Sequence, residues 1–433
     1  MTYRIRALSV VGAIAILSSS AAAQTPASPA PPLVPAQTAT PAPTVEPAPG
    51  APPAALAPVV LEAELPPTPV ALEAEPEEAP AKVGYEKGFF IESGDGNHRL
   101  AIAARLQARY TYHEVEAGPD TSAFSIERAR LKLEGHAFTK DLTYVFQSDF
   151  GKGAVTLKDY YGDYRIAPDL LHVRAGQWKR PFSRQQIASS GSQELVDRAI
   201  TDSAFGAGRD IGIALHNNYE KSPAFEYALG LFNGTGDRAS TSISVETDPD
   251  TGEVSATAGN PSNVPSMFNP ALVGRVGYNH GGIKGYSEAD LEGGGLRFSV
   301  GASGQLNFDA DRSDDSRVRA ELDTIVKAHG FSTTGGVYVS SEQAGAGFSD
   351  RALGAIGFHL QAGYVIAEQF QPAARVAIVA PDGDENDTLE LALGFGYLPF
   401  GHNVKWQTEI AALSFQASET TDARIRTQLQ LAF

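Results

Sequence analysis

The sequence predicts an all-β fold: a closed antiparallel β-barrel that crosses a membrane, with about 16 strands. Three observations point there. From Gly84 onwards the chain alternates apolar and polar residues with a period of two, in runs broken by Gly, Asn and Asp. That spacing gives strands with one apolar and one polar face. The polar parity carries charges deep in mid-strand, among them the pairs Arg105 and Arg109, Arg128 and Arg130, Arg317 and Arg319, and Arg424 and Arg426. A soluble sandwich would bury its apolar parity inside, whereas a membrane barrel shows that parity to lipid and keeps the charges in a wet lumen. Finally, many of the runs exceed ten residues, long for a globular sheet but suited to strands of ~9–11 residues tilted across a bilayer.

Composition removes most competing classes. The 433 residues carry a formal net charge of −17 and no cysteine. The acidic balance argues against a nucleic-acid binder, which needs a cationic face against phosphate. Without cysteine there are no disulfides, zinc ribbons, iron–sulfur clusters or thiol catalysis. Beyond the N-terminus no apolar run approaches the ~20 residues of a spanning helix.

Residues 1–23 have the pattern of a secretory signal peptide. Arg4 and Arg6 precede the apolar run Ala7 to Leu17, and Ala21-Ala22-Ala23 offers a small-residue cleavage site before Gln24. Residues 24–83 read as a disordered Pro/Ala-rich linker. Seventeen of the 28 prolines fall between Gln24 and Pro80, and the segment ends in the acidic run Glu73 to Glu78. Such a stretch buries too little apolar surface to offset its ordering entropy. At ~3.1 Å per residue it would reach well over 100 Å, enough for a spacer in contact with a cell wall. Residues 84–433 remain for the barrel, and at roughly 22 residues per strand and turn they supply about 16 strands around an aqueous channel.

Along the barrel the clearest strand is Ser125 to His136, with Ile126, Arg128, Arg130, Lys132, Glu134 and His136 on one parity and Ala129, Leu131 and Leu133 on the other. Similar alternation marks Leu100 to Tyr112, Leu142 to Phe146, Leu171 to Ala175, Ile211 to Leu215, Phe225 to Leu231, Leu296 to Phe308, Val318 to Val326 and Leu389 to Phe395. Pro181 stops the strand that ends at Arg180. The stretch from there to Ala207 is too long for a turn and holds the best helical candidate, around Ser192 to Ile200. A long loop in a compact architecture usually carries function. In the last strand Ile425, Leu429, Leu431 and terminal Phe433 share the lipid parity, with Thr427 the polar exception.

Several motifs carry a family resemblance. Arg128-Ala129-Arg130-Leu131-Lys132-Leu133-Glu134-Gly135 leads into an aromatic-rich strand ending Asp149-Phe150-Gly151. Leu157-Lys158-Asp159-Tyr160-Tyr161, then Gly176-Gln177-Trp178-Lys179-Arg180-Pro181-Phe182-Ser183, and finally Gly208-Arg209-Asp210-Ile211-Gly212 follow in order. Over roughly residues 85 to 235 this resembles the phosphate-selective porin O/P family. The resemblance implies an outer-membrane diffusion porin of 16 strands, usually trimeric. It also implies that the loop after the Gly-Gln-x-Lys-x-Pro-Phe-Ser element folds in to narrow the pore. The last strand resembles the C-terminal strand of bacterial outer-membrane proteins, which implies that the terminal Phe433 is part of the assembly signal.

The candidate anion pathway comprises Arg105, Arg109, Arg128, Arg130, Lys132, Arg174, Lys179, Arg180, Arg184, Arg198, Arg209, Arg317, Arg319, Arg424 and Arg426. Guanidinium groups in a narrow pore select anions and hold phosphate-like groups through several donors. Expected permeants are small anions, phosphate or polyphosphate-like. For any single arginine, bracing the wall against a carboxylate is the commoner role. The acidic residues gather in turn-like segments, Glu246 to Asp250, Asp309 to Asp315 and Asp382 to Asp387, suited to divalent ions shared with lipopolysaccharide. Asp382, Asp384 and Asn386 open like a calcium loop but lack its glycine and closing glutamate. No metal, cofactor or catalytic motif is therefore expected, and the chain does not read as an enzyme. Two alternatives remain open: a general or cation-leaning porin, because acidic mouths steer cations, and a barrel that mainly anchors the outer membrane to the cell wall.

Overall fold

The fold is taken from a computed structural model that describes residues 79–433, apart from 87, 235, 237–242, 248–253, 259–263, 266–267, 269, 310–314, 344–352 and 383–386. The export segment, most of the linker and much of the three acidic clusters lie outside the described residues.

A short hairpin, β1 (Lys82–Tyr85) and β2 (Phe89–Glu92), opens the ordered chain. The first wall strands are β3 (Arg99–Glu114), β4 (Thr121–Ala137), β5 (Thr139–Asp149), β6 (Thr156–Ala167), β7 (Leu171–Lys179), β8 (Arg209–His216) and β9 (Phe225–Phe232). The connection after β9 holds a small hairpin of β10 (Ile243–Thr247) and β11 (Val254–Ala258). The wall resumes with β12 (Ala271–His280), β13 (Arg297–Asp309), β14 (Asp315–Ala328), β15 (Phe331–Gln343), β16 (Leu353–Tyr364), β17 (Phe370–Pro381) and β18 (Thr388–Tyr397). After a four-residue piece, β19 (Pro399–His402), it ends with β20 (Val404–Phe415) and β21 (Thr420–Ala432).

Each wall strand pairs antiparallel with the next; β9 pairs with β12, β18 with β20, and β21 with β3. The result is a closed ring of 16 strands, as the alternation predicts. Closure is completed by reciprocal backbone bonds, the Ala104 N–H to the Phe433 carbonyl (2.8 Å) and the Phe433 N–H to the Ala104 carbonyl (3.0 Å). Below that point β2 extends the free edge of β3, pairing Phe89–Glu92 with Arg99–Ile102.

The barrel is inside out relative to a soluble sheet. On β20, Trp406 is 57% and Ile410 54% exposed, whereas Lys405, Gln407 and Glu409 are at most 2% exposed. The apolar parity faces outward and the polar parity packs inside, as lipid requires. One register expectation fails. A bulge sets Arg128 opposite Gln107 and Ile126 opposite Ala108, so Glu127 is the unpaired extra residue. An extra residue reverses parity, and Ile126 joins the exposed apolar face instead of the arginine face.

The two ends differ. One end, which carries Phe433, has short connections such as 168–170 and 329–330; the other has the longer loops, including 180–208. The exception is residues 281–296, a long connection at the short-turn end. No helix among the described residues is long and apolar enough to cross a membrane.

Leu393, in mid-strand on β18 and 68% exposed, tests which face meets lipid. Leu393→Arg should destabilise the barrel in phospholipid vesicles by about 2–4 kcal/mol, read from guanidinium unfolding. An unchanged midpoint would mean that this face is not lipid-facing.

Candidate functional site

The connection between β7 and β8 starts where Pro181 can no longer donate to the sheet and folds into the barrel. Its mouth is closed by the Arg180 N–H to the Gly208 carbonyl (3.1 Å) and by Arg180 Nη2 on the buried Asp210 carboxylate (2.5 Å). Phe182 enters a small apolar core inside the lumen with Trp178, Ala214, Phe232, Ala271 and Val273. The loop then crosses to the opposite wall and is buried along most of its length.

Two short helices form in it, α1 (Arg184–Ile187) and α2 (Ile200–Phe205), flanking Ser192 to Ala199. The helix expected around Ser192 to Ile200 is therefore absent except at its last residue. The reason is competition for backbone donors. The Glu194, Val196 and Ile200 N–H groups bond the Glu288, Glu409 and Glu390 carboxylates at 2.9, 3.1 and 3.0 Å. Carboxyl acceptors on β18, β20 and the 281–296 segment satisfy the donors that a helix would otherwise pair with its own carbonyls.

Side chains lock the same stretch. Leu195 sits among Ala373, Ala392 and Ala411, and a Cβ on Gly394 would lie 2.3 Å from its Cδ2. Phe205 stacks on Tyr338 with centroids 5.2 Å apart and presses equally close on Gly357. Asp197 faces Arg109 (3.1 Å), Arg426 (3.4 Å) and Arg128 (3.7 Å). Burial alone would raise the Asp197 carboxyl; the three guanidiniums outweigh it and hold the group below the usual carboxylate range.

Arg184 is the other anchor. Its Nε bonds Asp323 at 2.7 Å, Nη1 the Gly285 carbonyl at 2.8 Å and Nη2 the Ser299 hydroxyl at 2.7 Å. Asp323 also takes two bonds from Arg275 (2.6 and 3.0 Å), whose Nε reaches Glu226 at 3.0 Å. Nearly all of these groups are fully buried.

The open space lies on the remaining side, between the loop and the β3–β8 wall. A cavity of about 360 Å³ is lined there by Arg105, Arg130, Lys132, Lys179 and Arg209, against two acidic residues, Asp159 and Glu220. Ile187 and Ser189 of the loop face it, with Tyr85 and Phe433 at one end. Arg130 is paired with Asp149 at 2.8 Å, Lys132 with Glu134 at 2.5 Å and Arg209 with Asp159 at 2.9 Å. Arg105 and Lys179 differ. Arg105 bonds the Ser189 and Ser190 hydroxyls (2.9 and 3.1 Å), and Lys179 Nζ bonds the Ile187 and Ala188 carbonyls (2.9 Å each). Neither has a carboxylate within ion-pair distance among the described residues.

The candidate residues thus separate by surroundings. Five line the cavity. Arg109, Arg128 and Arg426 clamp Asp197, and Arg198 bonds the Gln185 carbonyl at 2.8 Å. Arg174 is held by Asp163 (2.8 Å) and Glu220 (3.2 Å), while Arg180 and Arg184 are the loop anchors above. Arg319 reaches the Phe205 and Gly206 carbonyls at 3.4 Å, and Arg424 reaches Glu390 at 3.5 Å. The Arg317 side chain lies outside the described residues.

Patterning alone did not find the acidic half of the clamp, Glu194, Asp197, Glu288, Glu390 and Glu409 acting together. Nor did it show that residues 281–296, with their Gly293-Gly294-Gly295 turn, fold inward; the only hint was a connection too long for its end of the barrel. Asp163, His172 and His216 offer ligand atoms within 4.8 Å of one another. The Asn218 N–H donates to His216 Nδ1 at 3.0 Å, which leaves its proton on Nε2, 2.9 Å from an Asp163 oxygen that also accepts from Arg174. Such a carboxylate is already saturated with donors, and the trio braces the wall.

With this geometry in place the chain can be set beside known proteins. Residues 100–258 match the phosphate-selective porin O and P family. Among solved structures, the outer membrane channel DcaP of Acinetobacter baumannii has a TM-score of 0.53 at 14% identity, covering 80% of this chain and 99% of that one. The anion-selective porin from Comamonas acidovorans has a TM-score of 0.51 at 12% identity, covering 77% and 99%. An uncharacterized protein of Aquifex aeolicus (strain VF5) is 24% identical over 418 residues, 87% of this chain and 97% of that protein. The porin match and the shared porin fold support an outer-membrane diffusion channel, not an enzyme.

Asp323 is the shared counter-charge of the loop anchor. Asp323→Asn should leave Arg184 without a carboxylate and Arg275 with Glu226 alone, and cost about 3–5 kcal/mol of stability, measured by guanidinium unfolding in vesicles. A loss below about 1 kcal/mol would match an exposed pair instead.

Proposed function

We propose that this porin passes small anionic solutes, phosphate and polyphosphate-like anions included, through the basic lane beside the inserted loop. The observation that carries this is local. The open cavity has five basic side chains against two acidic ones, and among the described residues Arg105 and Lys179 have no carboxylate within ion-pair distance. A cation held by hydroxyls and carbonyls projects its field into the water beside it, whereas one in an ion pair does not. The chain's net charge of −17 does not decide permeation, because much of it lies away from the lane.

The rest of the chain follows from this setting. Residues 1–23 direct export, and 24–83 form a periplasmic spacer able to touch the cell wall. The Phe433 end of the barrel then faces the periplasm and the long loops face outward, where their acidic groups meet lipopolysaccharide through divalent ions. Phe433 contributes the assembly signal, and the working unit is a homotrimer.

Full-length protein in planar bilayers under a KCl gradient provides the test. Its reversal potential should take the sign of chloride permeation, and Arg105→Glu with Lys179→Glu should move it toward the potassium limit. A cation-signed potential in the unaltered protein would overturn anion selectivity. An unmoved potential in the double variant would mean that these two groups do not face the pathway.

A further inference from the structure

Residues 281–296 leave β12 and cross the end of the barrel. Tyr286 bonds Glu226 (2.6 Å) on β9, whereas Ser287 reaches His402 of β19 (3.4 Å), in the connection between β18 and β20. On the way the segment meets the underside of the inserted loop. The Glu288 N–H donates to the Ser192 carbonyl (3.1 Å), the Glu194 N–H to the Glu288 carboxylate (2.9 Å), and Arg184 to the Gly285 carbonyl.

At this seam the two carboxyls share one donor. Gln361 Nε2 lies 3.0 Å from Glu194 and 2.9 Å from Glu288. Ser332 and Gln371 complete the shell of Glu194. Both glutamates are at most 5% exposed, and among the described residues neither has a cation within ion-pair distance. The charged groups facing them are occupied elsewhere. Lys327 of β14 bonds the Lys284 carbonyl, Lys405 of β20 bonds the Gln193 carbonyl, and Arg375 of β17 pairs with Glu390. Arg297 of β13 pairs with Asp290 and Glu292, and His402 meets Ser287. Beside Glu288, the buried Glu194 carboxyl is costly to ionise.

We infer that the loop 180–208 and the segment 281–296 form a two-part plug whose seam is held by a proton on the Glu194–Glu288 pair, and that the plug loosens when this proton leaves. The inference rests on the channel reading for its electrical readout. The sign follows from linkage. Burial, then Glu288, pushes the Glu194 carboxyl from 4.5 up to about 7 in the joined state. The joined state therefore binds the proton more tightly than the parted one and is favoured at low pH. Between 4.5 and about 7 its advantage falls by up to about tenfold per pH unit for one proton; above that range it levels.

The experiment is single-channel recording of the full chain at 1 M KCl, where surface charge is screened, stepped from pH 5 to pH 8. Conductance or open fraction should rise with pH, with the change complete soon after pH 7. Glu194→Gln with Glu288→Gln supplies neutral groups at the seam and should stay at the low-pH level throughout. Equal conductance at pH 5 and pH 8 would overturn the inference. So would a pH step that persists in the double variant, since Lys327, Lys405 or His402 would then carry it. Amide hydrogen exchange of residues 281–296 in the unaltered protein, corrected for intrinsic rates, gives a second readout. Protection should fall between pH 5 and pH 8, and constant protection counts against the plug. Should the protein prove electrically silent at every pH, the channel reading fails, and exchange still decides the plug.

Discussion

In the hydrocarbon layer no water is available to a backbone N–H or C=O, and each unsatisfied group costs several kcal/mol. Everything else in this molecule depends on that constraint being met at one seam, where β21 returns to β3. The paired bonds between Ala104 and Phe433 end that seam, and β2 covers the part of the β3 edge that β21 does not reach. Once the ring is closed no strand edge is left to lipid, and the side chains are free to sort by parity alone. Leucine, valine and aromatic residues go outward, while charge and amide groups go inward.

A ring of 16 strands encloses more volume than its own inward side chains can fill. Here the surplus is taken up by two pieces of chain entering from opposite ends. Their burial is polar in character. Backbone donors of the loop rest on Glu288, Glu390 and Glu409, and its charges on Asp323 and the Asp197 cluster. Ion pairs this deep are costly to desolvate and contribute modest net stability, so their main effect is placement. They fix the path of the loop across the lumen and leave the basic lane open between the loop and β3–β8.

Much of this was legible in the residues. Period-two alternation located the strands within a few positions, because a face toward lipid admits few polar groups. The Gly-Gln-Trp-Lys-Arg-Pro-Phe-Ser element marked where the wall ends and the insertion begins, since Pro181 cannot donate. Glu127 escaped notice because a bulge leaves alternation intact on both sides while shifting its phase. Ser192 to Ile200 looked helical because carboxylate acceptors contributed by distant segments are invisible to local pattern. The fifteen candidate cations were equivalent in sequence. Their partners in three dimensions, among them Asp149, Asp159, Asp197, Asp210 and Asp323, set those that line the open space apart from the others.

The docking of Leu195 against Gly394 and of Phe205 against Gly357 leaves no room for a side chain on the wall. The inserted loop and the barrel interior are therefore a matched pair, cast against each other at these contacts. A loop of this shape transplanted into a related barrel would meet a β-carbon where this one meets a bare backbone, and it would be expelled toward the mouth. Exchange of permeation properties between such barrels would accordingly proceed by moving the loop together with the glycine-bearing strands β16 and β18.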